Sequence, residues 1–200
     1  MSEKSKKQTA ILHSARELFK QDGFKKVSIE EICEHAGASK MTFYKFFENK
    51  HNIAETILQE IVKEGVTLYK EIMKAPSDFQ EKLKKIIEMK HEQQSKVGDR
   101  FLNDILTDPH LIDQLQKLSA QNLNLSLEVF NVGKQEQVFR KDLTPEYFSY
   151  LLDLLTRMYQ EARFVQIFPE MHQRTEEIMN LLFYGISRPE NFQQTNGDNK

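Results

Sequence analysis

The sequence predicts an all-α protein in which an N-terminal three-helix domain with a helix-turn-helix precedes a larger helical bundle, about nine helices in total. Apolar residues recur three and four positions apart through most of the 200 residues, and no stretch alternates apolar and polar residues as a strand does. Capping residues, glycines and prolines separate the periodic stretches. With 39% hydrophobic and 29% charged residues, the composition is typical of a globular protein.

The first predicted helix carries a continuous apolar stripe and ends at Gly23. Glycine adopts the left-handed backbone that closes many helices, and Phe24 supplies the apolar contact that often follows such an end. The stripe predicts that this helix packs against the segment that follows. It consists of Ile11, Leu12, Ala15, Leu18 and Phe19.

Residues 28–47 have the pattern of a helix-turn-helix. Ser28 and Glu31 have the spacing of a capping box, which predicts the start of a short helix. Gly37 ends that helix in a tight turn, and Ser39 caps a second one. These two helices, joined by a glycine turn, predict a helix-turn-helix.

The second helix of the motif has two different faces. At about 100° per residue, Phe43, Phe46 and Phe47 lie on one side, where they anchor the helix to the domain. The opposite side carries side chains that suit a nucleic-acid groove. They are Lys40, Met41, Thr42, Tyr44 and Lys45.

Three motifs in the first quarter to third of the chain carry a family resemblance. They are A-x-x-L-F-x-x-x-G-F from Ala15 to Phe24, S-I-E-E-I from Ser28 to Ile32, and A-G-A-S-K-x-T-F-Y-x-x-F-x-x-K from Ala36 to Lys50. The run from Ile11 to Leu58 resembles the DNA-binding domain of the TetR family of bacterial transcriptional regulators. Met41 departs from the family, which often has a small residue there, so the operator sequence does not carry over.

The resemblance implies specific DNA contacts. We expect Lys40, Met41, Thr42 and Lys45 to face the bases. Tyr44 and Lys50 are expected to contact phosphates, with Lys50 at a helix N-terminus where the helix dipole favours an anion. Ser28 and Ser39 are caps first, and a phosphate contact by either hydroxyl is secondary.

Start signals divide the rest of the chain into helices. Asn49 caps a long helix, and Asp78 caps the next one. Asp108-Pro109 opens a helix with apolar residues as far as Val132, and Thr144-Pro145 opens one that runs to Phe168. A last helix spans 171–186. We predict a DNA-binding domain over 5–65, a ligand-binding and dimerisation domain over 66–188, and a disordered polar tail over 189–200.

The segment 147–168 carries more apolar residues than a helix needs when only one of its faces is buried. A helix that is apolar around most of its circumference lies at the centre of a large core or covers an interface. At this chain length we favour an interface and predict a homodimer; the family resemblance implies that the last two long helices form it. One stripe holds Phe148, Leu151, Leu152, Leu155 and Tyr159, and the second holds Tyr150, Leu154, Arg157, Glu161 and Phe164.

The leading hypothesis is a sequence-specific regulator, a repressor that a small and mainly apolar ligand releases from a palindromic double-stranded DNA operator. Asn122 interrupts an apolar stripe, and Arg157 and Glu161 lie one turn apart on an apolar helix, so these three are candidate pocket residues. Asn122 could instead set helix register or face solvent. Arg157 and Glu161 could be an ion pair at an interface edge. The alternative is a regulator without a small-molecule inducer, constitutive or controlled by a protein partner.

Composition argues against other classes. Residues 1–50 hold ten Lys or Arg against seven Asp or Glu, a net charge of +3, whereas residues 51–200 carry −5. A basic tip on an acidic body is compatible with DNA binding. No apolar run predicts a membrane span or secretory signal, and a single cysteine is consistent with a cytoplasmic protein.

The sequence also lacks the signatures of an enzyme. Its seven glycines show neither G-x-G-x-x-G nor P-loop spacing. His91-Glu92 begins like a zinc-protease motif, but Ser95 stands where the second histidine belongs. The six histidines have no ligand spacing. We therefore expect no catalytic residues, metal or cofactor.

Overall fold

A computed structural model describes residues 3–120, 123–159 and 161–186, which form eleven helices. None of the helices in these residues is long and apolar enough to cross a membrane. The predicted tail over 189–200 lies outside the described residues. The helices are α1 (Glu3–Asp22), α2 (Ile29–His35), α3 (Lys40–Tyr44), α4 (Lys50–Lys74), α5 (Phe79–Val97), α6 (Asp99–Thr107), α7 (Pro109–Ala120), α8 (Leu123–Gln135), α9 (Pro145–Met158), α10 (Ala162–Ile167) and α11 (Met171–Ile186).

The chain divides into two compact units. The first comprises Met1–Tyr69 and Glu92–Gln121, and the second Lys70–His91 and Asn122–Lys200. Helices α4 and α5 each begin in one unit and end in the other. Because α6 and α7 belong to the first unit, the two units differ from the predicted domains over 5–65 and 66–188. The functions assigned to those domains stay predictions.

Aromatic rings form the centre of the first unit. Phe19 of α1 is fully buried, and its ring centroid lies 5.4 Å from that of Phe24 and 5.2 Å from that of Phe101 in α6. Edge and tilted ring contacts at such distances stabilise a core beyond the area that they bury. The core of the helix-turn-helix therefore continues into α6.

A second chain of rings forms the centre of the second unit. Phe139 contacts Phe79 of α5 and Phe148 of α9, at 5.3 and 6.0 Å between centroids, and Phe148 contacts Phe130 of α8. Gly133 makes room for this cluster, since a Cβ atom there would lie 2.5 Å from the Phe139 ring. Helices α5, α8 and α9 are thus joined around one buried phenylalanine.

The predicted helix starts are confirmed. Asn49 accepts a hydrogen bond from the Asn52 N–H at 2.9 Å, and the Asp78 carboxylate accepts one from the Glu81 N–H at 2.8 Å. Asp108 caps α7 and Thr144 caps α9 in the same way. These side chains satisfy N–H groups that have no partner within the helix.

The described residues form eleven helices where about nine were predicted, because two predicted helices each correspond to two. The predicted helix over 109–132 corresponds to α7 and α8, and residues 121 and 122 lie outside the described residues. The predicted helix that runs to Phe168 ends at Met158, and α10 begins at Ala162. The start of α10 has a visible cause: Glu161 has an extended backbone and caps α10 by accepting hydrogen bonds from the Arg163 and Phe164 N–H groups.

Candidate nucleic-acid interface

Two serines start the two helices of the motif, as predicted. Ser28 and Glu31 form a capping box: the Glu31 N–H donates to Ser28 Oγ at 3.2 Å, and the Ser28 N–H donates to the Glu31 carboxylate at 2.7 Å. The Ser28 hydroxyl also donates to this carboxylate, at 2.7 Å, and this hydrogen bond together with that from the Ser28 N–H holds the pKa of Glu31 below its usual value. Ser39 Oγ accepts from the Thr42 N–H at 3.1 Å and caps α3. Both hydroxyls therefore have structural partners.

Gly37 makes the turn between the helices. Its φ of +58° lies in the left-handed region, and the following Ala38 N–H donates to the Cys33 carbonyl at 2.9 Å. Cys33 is buried on the inner face of α2, and this burial raises the pKa of its thiol. The turn thus brings α3 across α2 with its backbone groups paired.

Helix α3 is anchored from below by phenylalanines. Phe43 is fully buried and Phe47 is 2% exposed, with 5.6 Å between their ring centroids. Phe46, predicted to lie on the same side, is half-buried and packs against the same core. An anchor of this kind fixes which side of a five-residue helix faces out.

The outer face of α3 carries large and exposed side chains. Met41 is 73% exposed and Tyr44 is 55% exposed, while Thr42 is half-buried. Lys40 and Lys45 are also exposed. An exposed methionine and tyrosine flanked by lysines present apolar, hydrogen-bonding and cationic groups together, the chemistry that base edges and phosphates require.

Glu30 lies beside this face and was not singled out in the sequence. Its carboxylate forms an ion pair with Lys40, and both side chains are exposed. Since the partners are ten residues apart on different helices, no helical spacing could have revealed the pair. The predicted DNA contact of Lys40 therefore competes with this ion pair.

Lys50 has a different environment from the one predicted. Its ammonium group donates to the carbonyl oxygens of Phe24 and Val27, both at 2.8 Å, and to that of Lys25 at 3.4 Å. Burial lowers the pKa of this lysine, an effect that the nearby Asp104 and Glu31 oppose. The predicted phosphate contact by Lys50 therefore competes with internal hydrogen bonds.

Asp104 of α6 is a buried carboxylate that the sequence analysis missed. It accepts a hydrogen bond from the Lys25 N–H at 2.9 Å. The available signal was an acid within the apolar run from Phe101 to Ile105, but its partner lies 79 residues earlier in the chain.

Two of the three candidate pocket residues, Arg157 and Glu161, lie within the described residues. Asn122 lies outside the described residues. Arg157 is exposed and donates from Nε to the Asp153 carbonyl at 3.4 Å, whereas Glu161 is exposed and caps α10. The two backbone N–H groups at that cap lower the pKa of Glu161. Their role in a pocket stays a prediction.

Sequence comparisons agree with the geometry of the motif. Residues 11–57 match the family model for bacterial regulatory proteins, tetR family. The transcriptional repressor KstR2 of Rhodococcus jostii (strain RHA1) is 22% identical over 205 residues, which cover 95% of this chain and 96% of that protein.

Solved structures share the fold. The fatty acid degradation regulator FadR from Bacillus halodurans matches with a TM-score of 0.66 at 20% identity, covering 90% of this chain and 95% of its own. A transcriptional regulator from Saccharomonospora viridis, solved in complex with choline, matches with a TM-score of 0.69 at 17% identity and covers 92% and 99%.

The family model coincides with α1–α3 and the start of α4, the similarity to a repressor extends along the chain, and these relatives are DNA-binding regulators rather than enzymes. Residues 11–57 thus form a DNA-binding domain of the TetR family of bacterial transcriptional regulators, and the chain shares its helical fold with solved regulators.

Proposed function

We propose that this regulator is a homodimeric repressor that acts in the cytoplasm, binds a palindromic operator through α3 of each subunit and is released by a small, mainly apolar ligand. The observation that carries the proposal is the outer face of α3, where Met41 and Tyr44 are exposed between lysines while Phe43 is fully buried beneath them. A helix anchored in this way presents its outer face to a major groove.

The proposed base contacts are made by Lys40, Met41, Thr42 and Lys45, and Tyr44 contacts a phosphate. Ser28 and Ser39 serve as caps, and a phosphate contact by their hydroxyls is secondary. Lys50 is left out of this set because three carbonyl oxygens hold its ammonium group.

The second unit supports the dimer. Tyr150 and Leu154 of α9 are 56% and 44% exposed, and Leu181 of α11 is 55% exposed. These are the two helices that the sequence predicted at an interface. Pairing them with a second copy would cover this apolar surface, and a stable interface of about 1,000 Å² or more is expected. The two recognition helices of such a dimer lie about 34–36 Å apart and read two half-sites.

The proposed ligand site lies among the helices of the second unit, with Asn122 as the first polar candidate. Its support is a relative of the same fold solved in complex with choline, a small molecule. The concavity of about 330 Å³ that the structure describes near Phe79 is a different feature. Its rim includes the carboxylates of Asp78 and Glu136, so its lining differs from that of an apolar pocket.

Helix α4 is the proposed connection between ligand and DNA, because it begins beside the helix-turn-helix and ends in the second unit. A 100-fold release from DNA requires roughly 2.7 kcal/mol of coupling, within the range typical of allosteric proteins. A regulator of the same fold without a small-molecule inducer is the competing proposal.

Selection of bound duplexes from a random library tests the DNA-facing surface. Met41→Ala should change the preferred sequence, because its side chain lies at the centre of the face. Tyr44→Ala should weaken binding to all sequences. Unchanged affinity and preference in both variants would rule out α3 as the docking face.

Calorimetry with a chemically diverse library, performed with and without the selected operator, tests the ligand. A ligand that binds the free protein more tightly than the DNA-bound protein would act as an inducer. Ligands that bind both forms equally would exclude induction through their site and favour the regulator without an inducer.

A further inference from the structure

The turn Gly23–Val27, which joins α1 to α2, is held by charged side chains from two other helices. Lys50, at the start of α4, donates to three of its carbonyl oxygens. Asp104, in α6, accepts the Lys25 N–H at 2.9 Å. The cation thus binds the carbonyl groups of the turn, and the anion binds one of its N–H groups. All of these residues belong to the first compact unit.

The ammonium group of Lys50 has no donor left for a phosphate. A lysine has three N–H donors, and three carbonyl oxygens lie within hydrogen-bond distance. Its Nζ also lies 4.5 Å from the centre of the Phe24 ring, a cation–π distance. Binding a phosphate would require Lys50 to release at least one carbonyl of the turn.

Asp104 holds the same turn at close range. Its carboxylate is buried, and a Cβ atom at Gly23 would lie 2.7 Å from its Oδ2. Its Oδ1 lies 3.8 Å from Lys25 Nζ, which itself donates to Thr107 of the same helix at 2.7 Å. Because Phe101 of α6 also packs on Phe19, α6 and the turn form one packed unit.

The turn ends one residue before Ser28, the cap of α2, so its position sets where α2 begins and therefore where α3 lies. We propose that Lys50 and Asp104 are positioning residues for DNA binding: they fix this turn from α4 and α6, and neither side chain contacts DNA. The inference rests on the proposed DNA-facing surface of α3.

Salt dependence separates a positioning lysine from a phosphate contact. Full-length Lys50→Met is titrated with one duplex of about 24 base pairs that carries the selected operator. The titration is repeated over a series of salt concentrations, with fluorescence anisotropy as the readout. We expect its affinity to fall about tenfold while the slope of log K against log salt is unchanged. The matched control Lys45→Met removes an exposed lysine of the proposed DNA-facing surface. Because a cation that enters the groove also displaces condensed counterions, that slope should fall, by up to about 0.9.

For Asp104→Asn, the two possible roles of the carboxylate predict changes in DNA affinity of opposite sign. Removal of a negative charge strengthens DNA binding if the carboxylate acts only through its long-range field. A positioning role predicts weaker binding, with faster amide exchange at Lys25 and Val27 and unchanged exchange in α9. The double variant should lose less affinity than the two single losses combined, because both side chains hold one turn.

Two results would overturn the inference: a salt slope for Lys50→Met that falls as much as that of Lys45→Met, or an Asp104→Asn protein that binds DNA as tightly as the wild type or more tightly. If Lys50→Met does not fold, as judged by helical circular dichroism, Asp104→Asn decides. A wild-type chain that does not bind the duplex, or a Lys45→Met variant with an unchanged slope, would instead refute the proposed surface of α3.

Discussion

The two compact units differ in how many large apolar side chains they expose and in where those side chains lie. Among the described residues of the first unit, the large apolar side chains that remain exposed are Met41 and Tyr44, and both lie on the outer face of α3. The described part of the second unit exposes six, all on α9, α10 and α11. They are Tyr147, Tyr150, Leu154, Val165, Ile167 and Leu181.

This difference agrees with the two proposed roles, DNA binding by the first unit and dimerisation by the second. Two exposed side chains flanked by lysines suit a polar, charged partner such as DNA. Six on three successive helices, α9, α10 and α11, suit an apolar partner such as a second copy of the chain. The proposed DNA-binding and dimerisation roles thus fall on different units.

The largest expected effect comes from placing a charge in the apolar patch of the second unit. Leu154→Lys should raise the dimer dissociation constant at least about 100-fold, because a lysine at the centre of an apolar interface must be desolvated. Sedimentation equilibrium measures this. Met41→Lys, which places the same charge in the first unit, is the control and should leave the dimer intact. Dimers of equal stability in both variants would contradict the proposed interface.

Glycine-to-alanine substitutions compare how much unfolding free energy an added Cβ atom costs in each of the two units. Gly23 has a φ of +88°, and a Cβ atom there would meet Asp104, so Gly23→Ala should cost about 2–4 kcal/mol of unfolding free energy. Gly37→Ala, with positive φ but open space, should cost about 1 kcal/mol. Gly185→Ala in α11 meets nothing within 4 Å and should be neutral or stabilising by up to about 1 kcal/mol. Urea unfolding measures all three, and an equal cost at Gly23 and Gly37 would refute the clash.

Lys134 of the second unit, like Lys50 of the first, donates hydrogen bonds to three backbone carbonyl oxygens. Its Nζ donates to the carbonyl oxygens of Arg140, Lys141 and Leu143 at 3.2, 2.7 and 3.2 Å. Lys134→Met should therefore lower the unfolding free energy by about 1–2 kcal/mol. Its DNA affinity should match the wild type at protein concentrations that keep the dimer intact. Anisotropy titrations beside Lys50→Met test this; a tenfold loss in both would show that general destabilisation weakens DNA binding.

The smallest expected effect is a pH dependence of the folding stability, to which one glutamate in each unit contributes. The pKa of Glu31 is lowered by its capping box, and that of Glu161 by the N–H groups of α10. A carboxylate with a lowered folded-state pKa stabilises the fold above its usual pKa of 4.5, and this stabilisation is lost as the pH falls through the lowered value. Carbon NMR titrations of both side chains measure it. Ser28→Ala should raise the pKa of Glu31 alone; an equal shift at Glu161 would contradict the local cause.

Local signals in the sequence were sufficient for the helix starts and the motif. Ser28, Ser39 and Asp78 each cap through the residue three positions later, and that spacing is visible in a sequence. The break before α10 was missed because the segment 147–168 is apolar on both sides of Glu161, and its apolar spacing hid the cap. The predicted helix ran on without it.

Partners distant in the chain could not be predicted. Lys50 is a lysine at a helix N-terminus, where a phosphate contact is the usual interpretation. Its carbonyl partners lie 23 to 26 residues earlier and belong to the backbone, which carries no side-chain signature. Asp104 contacts the same turn from 79 residues away.

The buried cysteine of α2 determines how this protein can be labelled. A thiol reacts as the thiolate, and Cys33 is both shielded and raised in pKa, so reagents at neutral pH reach it only when α2 separates from the core. Because the chain has no other cysteine, a Met41→Cys substitution creates a single accessible attachment point on each subunit. Spin labels placed there would report the distance between the two recognition helices of a dimer in the free, operator-bound and ligand-bound protein.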